Sequence, residues 1–399
     1  MIPERKTFAI SLWMRKAQSG RDDGGLRKME MNVKKIVVTG GPCAGKSTSL
    51  EGLKKTVEST GYKVILVPES ATELVGEGIT PESCGSIYEF EKQVAVRQLE
   101  NEEKAGVKAK ALRSEKVLIV CDRGTMDCKA FLEERDFEKL CAALGKGKVQ
   151  LRDEYDGIFF LASAARGDGK NYTISNNPAR RESREEAAAL DGRTLSAWLG
   201  HPHLRVIQNT EDFVDKVKGL TADIMQLLGE PEPLEIERKF LIKYPDTAEL
   251  SDKGKYAGEE IEQVYLEDAD GHFRIRRRGE DGEYIYFLTR KKQVSPVTRI
   301  EIEEHITEDE YKNYVCGAGN SGRKVSKTRY CFVYEGHYFE LDVFPFWKDR
   351  ALLEIELRYE DEEVKMPPQF EIIREVTEEE EYKNSKIAAM VSAGLLKVD

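Results

Sequence analysis

The sequence predicts two unlike folds in tandem: a doubly wound parallel α/β domain, then an antiparallel eight-stranded β domain with flanking helices, α/β plus α+β in class. Three observations predict it. Short β-branched runs alternate with helical segments up to Gly229, as in sheets covered on both faces. Gly229-Glu230-Pro231-Glu232-Pro233 then breaks the pattern, because alternating prolines extend neither helix nor central strand. Beyond it the periodicity becomes two, the spacing of strands with two different faces.

Composition bounds what such a chain does. It has 399 residues, 40% hydrophobic and 34% charged, which suits a globular protein of two or three domains. A net charge of −11 argues against general nucleic-acid binding by bulk electrostatics. No apolar stretch approaches the ~20 residues of a transmembrane segment. Seven cysteines with no CxxC pair suggest reduced thiols and a cytoplasmic protein.

Residues 1–30 read as a disordered leader, with a patch from Phe8 to Met14 too short for a secretory signal and Met29 and Met31 just before the first strand. The first domain, 31–229, has apolar runs at Ile36–Val38, Val64–Val67, Val117–Cys121, Ile158–Leu161 and Leu204–Ile207. Ile87, Phe90, Val94, Arg97 and Gln98 fall at helical spacing between them. Thr210 is the expected cap of a last helix with Phe213, Val217, Leu220, Ile224 and Leu227 on one face.

The first run feeds Gly40-Gly41-Pro42-Cys43-Ala44-Gly45-Lys46-Ser47-Thr48, which fits GxxxxGK[ST] at every fixed position. The glycines let backbone N–H groups converge on phosphate oxygens, Lys46 reaches the terminal phosphates, and the Ser47 hydroxyl suits Mg²⁺. Asp122 ends the third run where a carboxylate would hold Mg²⁺ through water, although helix capping is its default role. Glu69 ends the second run at the same level, placed to accept a proton from, or orient, a second substrate; a solvated loop glutamate is the competing reading. Arg180, Arg181, Arg184 and Arg193 form an arginine-rich insertion, either a lid that stabilises a transferred phosphoryl group or a salt-bridged helix face.

The order of triphosphate loop, PE, DRG and arginine-rich segment resembles the phosphate-loop nucleotide-kinase-like ATPases over residues 31–229. The resemblance implies Mg²⁺-dependent binding of ATP or GTP and phosphoryl transfer or hydrolysis. No NKxD-type guanine signature occurs, which favours ATP.

After the 230–233 linker, eight strands are expected at 234–241, 261–267, 272–278, 283–291, 298–305, 324–334, 337–344 and 350–358, with hairpin turns at Gly279–Gly282 and Tyr334–His337. A helical tail is expected from Thr377 to about Leu396. Strand parity puts Glu235, Glu237 and Lys239 on one face. The same parity returns in Arg274, Arg276 and Arg278, in Thr289 and Lys291, and in Arg299, Glu301 and Glu303. It returns again in Lys327 and Arg329, in Glu340 and Asp342, and in Glu354 and Glu356. Any one strand could simply face solvent. Repetition across the strands favours a barrel with a charged interior and an apolar outer face, including Ile236, Phe273, Ile275, Leu353 and Ile355, covered by helices. Carboxylates inside would hold a divalent metal and the bases a polyphosphate.

ExExK, RxR, LTxK, RxExE, KxR, ELD and a final ExE resemble the CYTH, or triphosphate tunnel metalloenzyme, family over about 233–399. That resemblance implies an eight-stranded tunnel binding triphosphate compounds with Mg²⁺ or Mn²⁺. It implies metal at Glu235, Glu237, Glu354 and Glu356, assisted by Glu301 and Glu303, with Asp342 of the ELD motif in the same acidic set. It implies phosphate contacts from Lys239, Arg274, Arg276, Lys291, Arg299, Lys327 and Arg329. The two-domain order, including Leu190–Thr194, is similar to the TRPL translocation defect protein 14 family, which implies the alternative of a trafficking factor binding GTP and phosphoinositide headgroups. The expectation is therefore an enzyme of two phosphate sites, with a regulatory binding protein as the alternative.

Overall fold

In the computed structural model the five apolar runs form one parallel sheet. The structure describes residues 32–396 except 113, 115, 167–182, 211, 231–233, 269–270, 294–297 and 319–321, and excludes the side chains of 32, 234–235, 292–293 and 298–301. The expected leader, Arg180, Arg181 and the linker prolines therefore lie outside the described residues. The first domain runs β1 (Asn32–Thr39), α1 (Lys46–Glu58), β2 (Lys63–Val67), α2 (Ser70–Gly76), α3 (Pro81–Cys84), α4 (Ile87–Ala111), β3 (Lys116–Asp122), α5 (Glu134–Leu144), α6 (Lys148–Asp153), β4 (Gly157–Leu161), α7 (Arg184–Trp198), β5 (Leu204–Ile207) and α8 (Phe213–Leu227). The strand order is β2-β3-β1-β4-β5. All pairings are parallel, with Val38 opposite Asp122.

Both faces of this sheet are buried, which is why its strands read as continuous apolar runs. Ile36 and Val38 pack with Leu50 and Leu53 of α1 and Leu220 and Ile224 of α8. Val37 packs on the other face with Ala95 and Ala105 of α4 and Trp198 of α7. The cap of α8 is Asp212 and not Thr210: the Asp212 carboxylate accepts from the Val214 N–H at 2.9 Å, while the Thr210 hydroxyl donates to the Asp212 carbonyl. A carboxylate is the better acceptor for a helix N-terminus. Gly229, at φ +74°, ends α8, and the next residue, Glu230, pairs with Lys116.

The second domain runs β6 (Leu234–Lys243), β7 (Ala257–Asp268), β8 (Gly271–Glu280), β9 (Glu283–Gln293), β10 (Thr298–Ile306), α9 (Glu308–Ala318), β11 (Arg323–Tyr334), β12 (His337–Val343), β13 (Arg350–Leu357), β14 (Ile372–Glu375) and α10 (Asn384–Ser392). All eight expected strands form. The antiparallel order β10-β9-β8-β7-β11-β12-β13-β6-β14 is closed by a second pairing of β10 with β6, making an eight-stranded barrel with β14 outside it. The turn residues Asp281–Gly282 and Glu335–Gly336 all have positive φ, 53°, 85°, 47° and 83°, the conformation two-residue hairpins need.

Three expectations change. The tail is shorter than 377–396: a 3-10 turn at Glu380–Tyr382 precedes α10. β14 and α9 were not anticipated. β14 has only four residues, and α9 sits in an acidic segment with a single buried residue, Tyr311. The apolar outer face is covered only partly by helix. Tyr311 covers Val264, Leu266, Phe273 and Ile275, but Ile236, Leu353 and Ile355 pack with Phe339 and Leu341 beneath Leu250, Tyr256 and Phe370 from irregular segments. α10 instead presses Ile387 and Ala388 onto Leu241, Val325 and Leu352, which share the parity of Lys239, Lys327 and Glu354, so it covers interior-facing positions and not the outer face.

The domains share a core. Cys331 and Tyr338 of the barrel belong to the same buried cluster as Trp198 and Leu199.

Candidate functional site

The glycine-rich loop joins β1 to α1. Gly40 has φ +144°, and a Cβ there would lie 2.2 Å from the Leu161 carbonyl oxygen; Gly45, the N-cap of α1, has φ +84°. Only glycine takes both conformations without strain. Cys43 adopts φ +59° despite its side chain. The Gly41 N–H donates to Asp191 of α7 at 2.8 Å, and Pro42 accepts from the Ser163 hydroxyl. Lys216 of α8 donates to the Ala44 and Ala162 carbonyls and to Asn209. Asp191 lies in the LDGRT stretch, and its burial gives it a local task in holding the loop.

Lys46 folds back and donates to the Gly40 and Gly41 carbonyls at 3.0 and 3.3 Å. Burial, with the Arg123 guanidinium nearby, lowers its ammonium to about 8 against the pull of Glu69, Asp122 and Asp127. The Ser47 hydroxyl lies 3.4 Å from Asp122 Oδ2. Asp122 Oδ1 is buried with no hydrogen-bond partner, and burial raises its carboxyl, Lys46 opposing and Glu69 adding to the effect. An orphaned hard oxygen beside a serine hydroxyl is a donor set that fits Mg²⁺ or Mn²⁺. Thr48 is exposed in the first turn of α1.

Glu69 faces the same loop. Burial alone would raise its carboxyl, but Arg123, Lys46 and the Thr72 hydroxyl bring it down to about 2. Arg123 also reaches Asp127 at 3.3 Å, and Asp127 accepts from the Thr39 hydroxyl and the Gly124 N–H. Arg123 adopts φ +71°, a conformation that persists in a non-glycine residue only where the surroundings over-determine it. Arg123, Asp127, Asp191 and Lys216 were not among the candidate site residues. Arg123 stood next to a candidate in the DRG motif; spacing singled out none of the other three. Of the arginine-rich insertion, Arg184 donates to the Ala165 carbonyl at 3.1 Å and Arg193 to the Ala130 carbonyl at 2.8 Å.

Inside the barrel, the parity positions meet. Lys239 lies 2.7 Å from Glu354 and 3.5 Å from Glu237. Arg329 binds Asp342 through two nitrogens at 2.7 Å and reaches Glu354 at 2.6 Å and Glu340. Lys327 pairs with Asp342, both side chains fully buried, and donates to Asn384 at the start of α10. Burial, with Arg329 beside it, lowers Lys327 to about 8. A second group gathers on β8, β9 and β10: Glu303 accepts from Arg276 at 2.8 Å and from Thr289 at 2.8 Å, with Arg274 at 3.5 Å. Burial opposes ionisation of Glu303 and Glu354, but the surrounding bases hold both well below the usual carboxylate range.

The candidate acids are thus held in base-paired groups. Among the described residues no three acidic, histidine or cysteine side chains converge as a metal-binding group. Lys291 is exposed on β9. The side chains of Glu235, Arg299 and Glu301 lie outside the described residues, although the backbone register puts Glu235 opposite Arg299 and Glu301 opposite Lys291. Glu356 pairs with Arg205 of the first domain, a partner that strand parity within the barrel could not supply. Carboxylate oxygens are suitable donors for Mg²⁺ or Mn²⁺, and each base now holding one is a group that a phosphate oxygen can engage instead.

Residues 35–216 match the model of the AAA domain. An inorganic triphosphatase of Nitrosomonas europaea is 32% identical over 160 residues, which are 39% of this chain and 98% of that protein. A crystal structure of an inorganic triphosphatase is 32% identical over 39% of this chain and 93% of its own, with a TM-score of 0.26. A Hippeastrum protein described as a candidate adenylyl cyclase with a dominant triphosphatase activity is 18% identical over 31% of this chain and 79% of its own, with a TM-score of 0.23. No helix among the described residues is long and apolar enough to cross a membrane. With a relative of that identity matched over nearly its whole length, this chain belongs to the family of the Nitrosomonas inorganic triphosphatase.

Proposed function

We propose that the barrel binds and hydrolyses a triphosphate compound, and that the first domain separately binds a nucleoside triphosphate, ATP or GTP. The observation that carries the barrel reading is the convergence of Lys239, Arg274, Arg276, Lys327 and Arg329 on acids of one closed barrel, four of them below a tenth exposed. Bases at such positions fit a polyanion, because charge-assisted bonds are strong and a low-dielectric interior strengthens them further. Family membership supports the same substrate class. Mg²⁺ or Mn²⁺ would be held by Glu237, Glu354 and Glu356, with Glu235, Glu301, Glu303 and Asp342 as further candidate donors; it would supply charge neutralisation at the phosphoryl group and an activated water. The chain's own part is to grip and align the phosphates: Arg274 and Arg276 from one wall, Lys239, Lys327 and Arg329 from the other strands.

In the first domain, Lys46 and the loop N–H groups would hold the terminal phosphates, with Ser47 and Asp122 toward the cation. Glu69, tied to Arg123 and strongly acidic, is a weak base as it stands and suits orientation of a second substrate better than proton abstraction. Arg180 and Arg184 remain candidates for contacting the transferred group.

The base-paired state of the lumen acids favours a second reading, a regulatory protein that binds GTP and phosphoinositide headgroups without turnover. Phosphate release from tripolyphosphate and from a nucleotide panel, with Mg²⁺ and with Mn²⁺, separates the two. Turnover lost in Glu354→Gln supports the enzyme. Headgroup binding without turnover in wild type supports the alternative.

A further inference from the structure

The first domain closes part of the barrel with its own charged residues. Arg152, at the end of α6, binds Glu259 of β7 at 2.5 Å with both side chains fully buried. Arg278 of β8 donates to the Gly200 carbonyl, and Tyr338 of β12 bonds Gly200 N–H and His201 carbonyl at 3.1 Å each. His201 is held neutral by burial, at about 3, donating to the Tyr155 carbonyl and accepting from the His203 N–H at 3.0 Å each. The loop after α7 is therefore pinned at both ends. The loop and the strand it leads into, β5, each present a side chain to the barrel acids: His203 Nε2 lies 3.7 Å from Glu303, and Arg205 pairs with Glu356.

Glu356 stands opposite Glu237 in the β13–β6 register, one alternation from the Glu354–Lys239 pair. Arg205 is four-fifths buried and its partner Glu356 about three-quarters. A guanidinium held there by a first-domain strand adds a cation to an interior that already holds Lys239, Arg274, Arg276, Lys327 and Arg329. We infer that Arg205 is a polyphosphate-binding residue of the barrel site, lent by the first domain, with Glu356 as its placeholder partner in the unliganded protein. The inference rests on the reading that the barrel takes a polyphosphate. The guanidinium exchanges one oxyanion partner for another, carboxylate for phosphate, and Glu356 is left free to face a cation. His203, set beside Glu303 by the neutral His201, holds the loop in register for that exchange.

The test is titration of sodium tripolyphosphate into the full-length protein by calorimetry in EDTA, so that binding is read without metal or turnover. Arg205→Ala should weaken binding about tenfold or more, the worth of one charge-assisted bond, and Arg205→Lys should recover part of it. Glu356→Gln should tighten binding by freeing Arg205, and most of that gain should vanish in the Arg205→Ala background. If Arg205→Ala does not fold, the Lys and Gln variants carry the test. Wild-type affinity in Arg205→Ala, or no gain in Glu356→Gln, overturns the inference when Arg276→Ala loses binding. If Arg276→Ala binds like wild type, the barrel reading itself fails and the inference with it.

Discussion

Arg152 and Glu259 belong to different domains, yet their side chains meet at 2.5 Å with both fully buried. Asp153 completes the pairing on the first-domain side, at 2.7 Å from Arg152 Nε. Burying such charges is expensive unless each is partnered, and removing one partner strands the others. Arg152→Ala should therefore cost about 3–5 kcal/mol of stability. Denaturant unfolding followed by domain-specific probes checks it: the two transitions should coincide in wild type and separate in the variant.

The loop glycines give a second outcome. Gly40→Ala places a Cβ 2.2 Å from a backbone carbonyl oxygen at φ +144°. Neither the carbonyl nor the loop can yield cheaply, so nucleotide affinity should fall at least tenfold, about 1.4 kcal/mol. Titration with a fluorescent nucleotide reads it. Gly106 of α4, where an added Cβ would meet nothing within 4 Å and the backbone is helical, is a control position away from the loop.

Lys46 predicts a proton linkage. Its folded value, about 8, lies below the ordinary 10.5. The unfolded chain then binds more protons between those values, so this group adds stability as pH rises from about 8 to 10.5 and opposes folding fully below 8. A bound triphosphate reverses the shift by supplying negative charge. At pH near 8 nucleotide binding should take up about half a proton at this residue. Calorimetry in buffers of different ionisation enthalpy measures it, and Lys46→Ala should abolish the uptake along with most of the binding.

Glu69 carries the opposite sign. Its carboxyl is lowered to about 2 from 4.5, so its contribution is complete above 4.5 and is lost as pH falls through 2. Glu69→Gln should flatten the acid limb of the stability curve between those values while leaving stability at pH 8 lower than wild type.

Much of this was legible in the chain. Strand alternation located all eight barrel strands because a period of two is a property of adjacent residues, and the repeated charge parity brought Arg276 to Glu303 and Lys239 to Glu354. The GxxxxGKS spacing placed Gly40 and Gly45 where positive φ is required. What escaped was long-range. Nothing in the run around Arg152 announces a partner more than a hundred residues away, and Arg205 read as one polar residue in an otherwise apolar strand. Asp191 lies within the LDGRT stretch, yet its bond to the Gly41 N–H spans 150 residues and exists only in the fold. The cap of α8 shifted by two residues because hydroxyl and carboxylate both qualified, and only geometry chose between them.

The measurement that tests the central claim most directly is phosphate release from tripolyphosphate by the full-length protein with Mg²⁺ or Mn²⁺, compared with Arg276→Ala, Glu354→Gln and Lys46→Ala. The account predicts metal-dependent release that falls at least a hundredfold, about 2.7 kcal/mol, in the two barrel variants and persists in Lys46→Ala. Release that survives both barrel variants, or that disappears with Lys46, would contradict it.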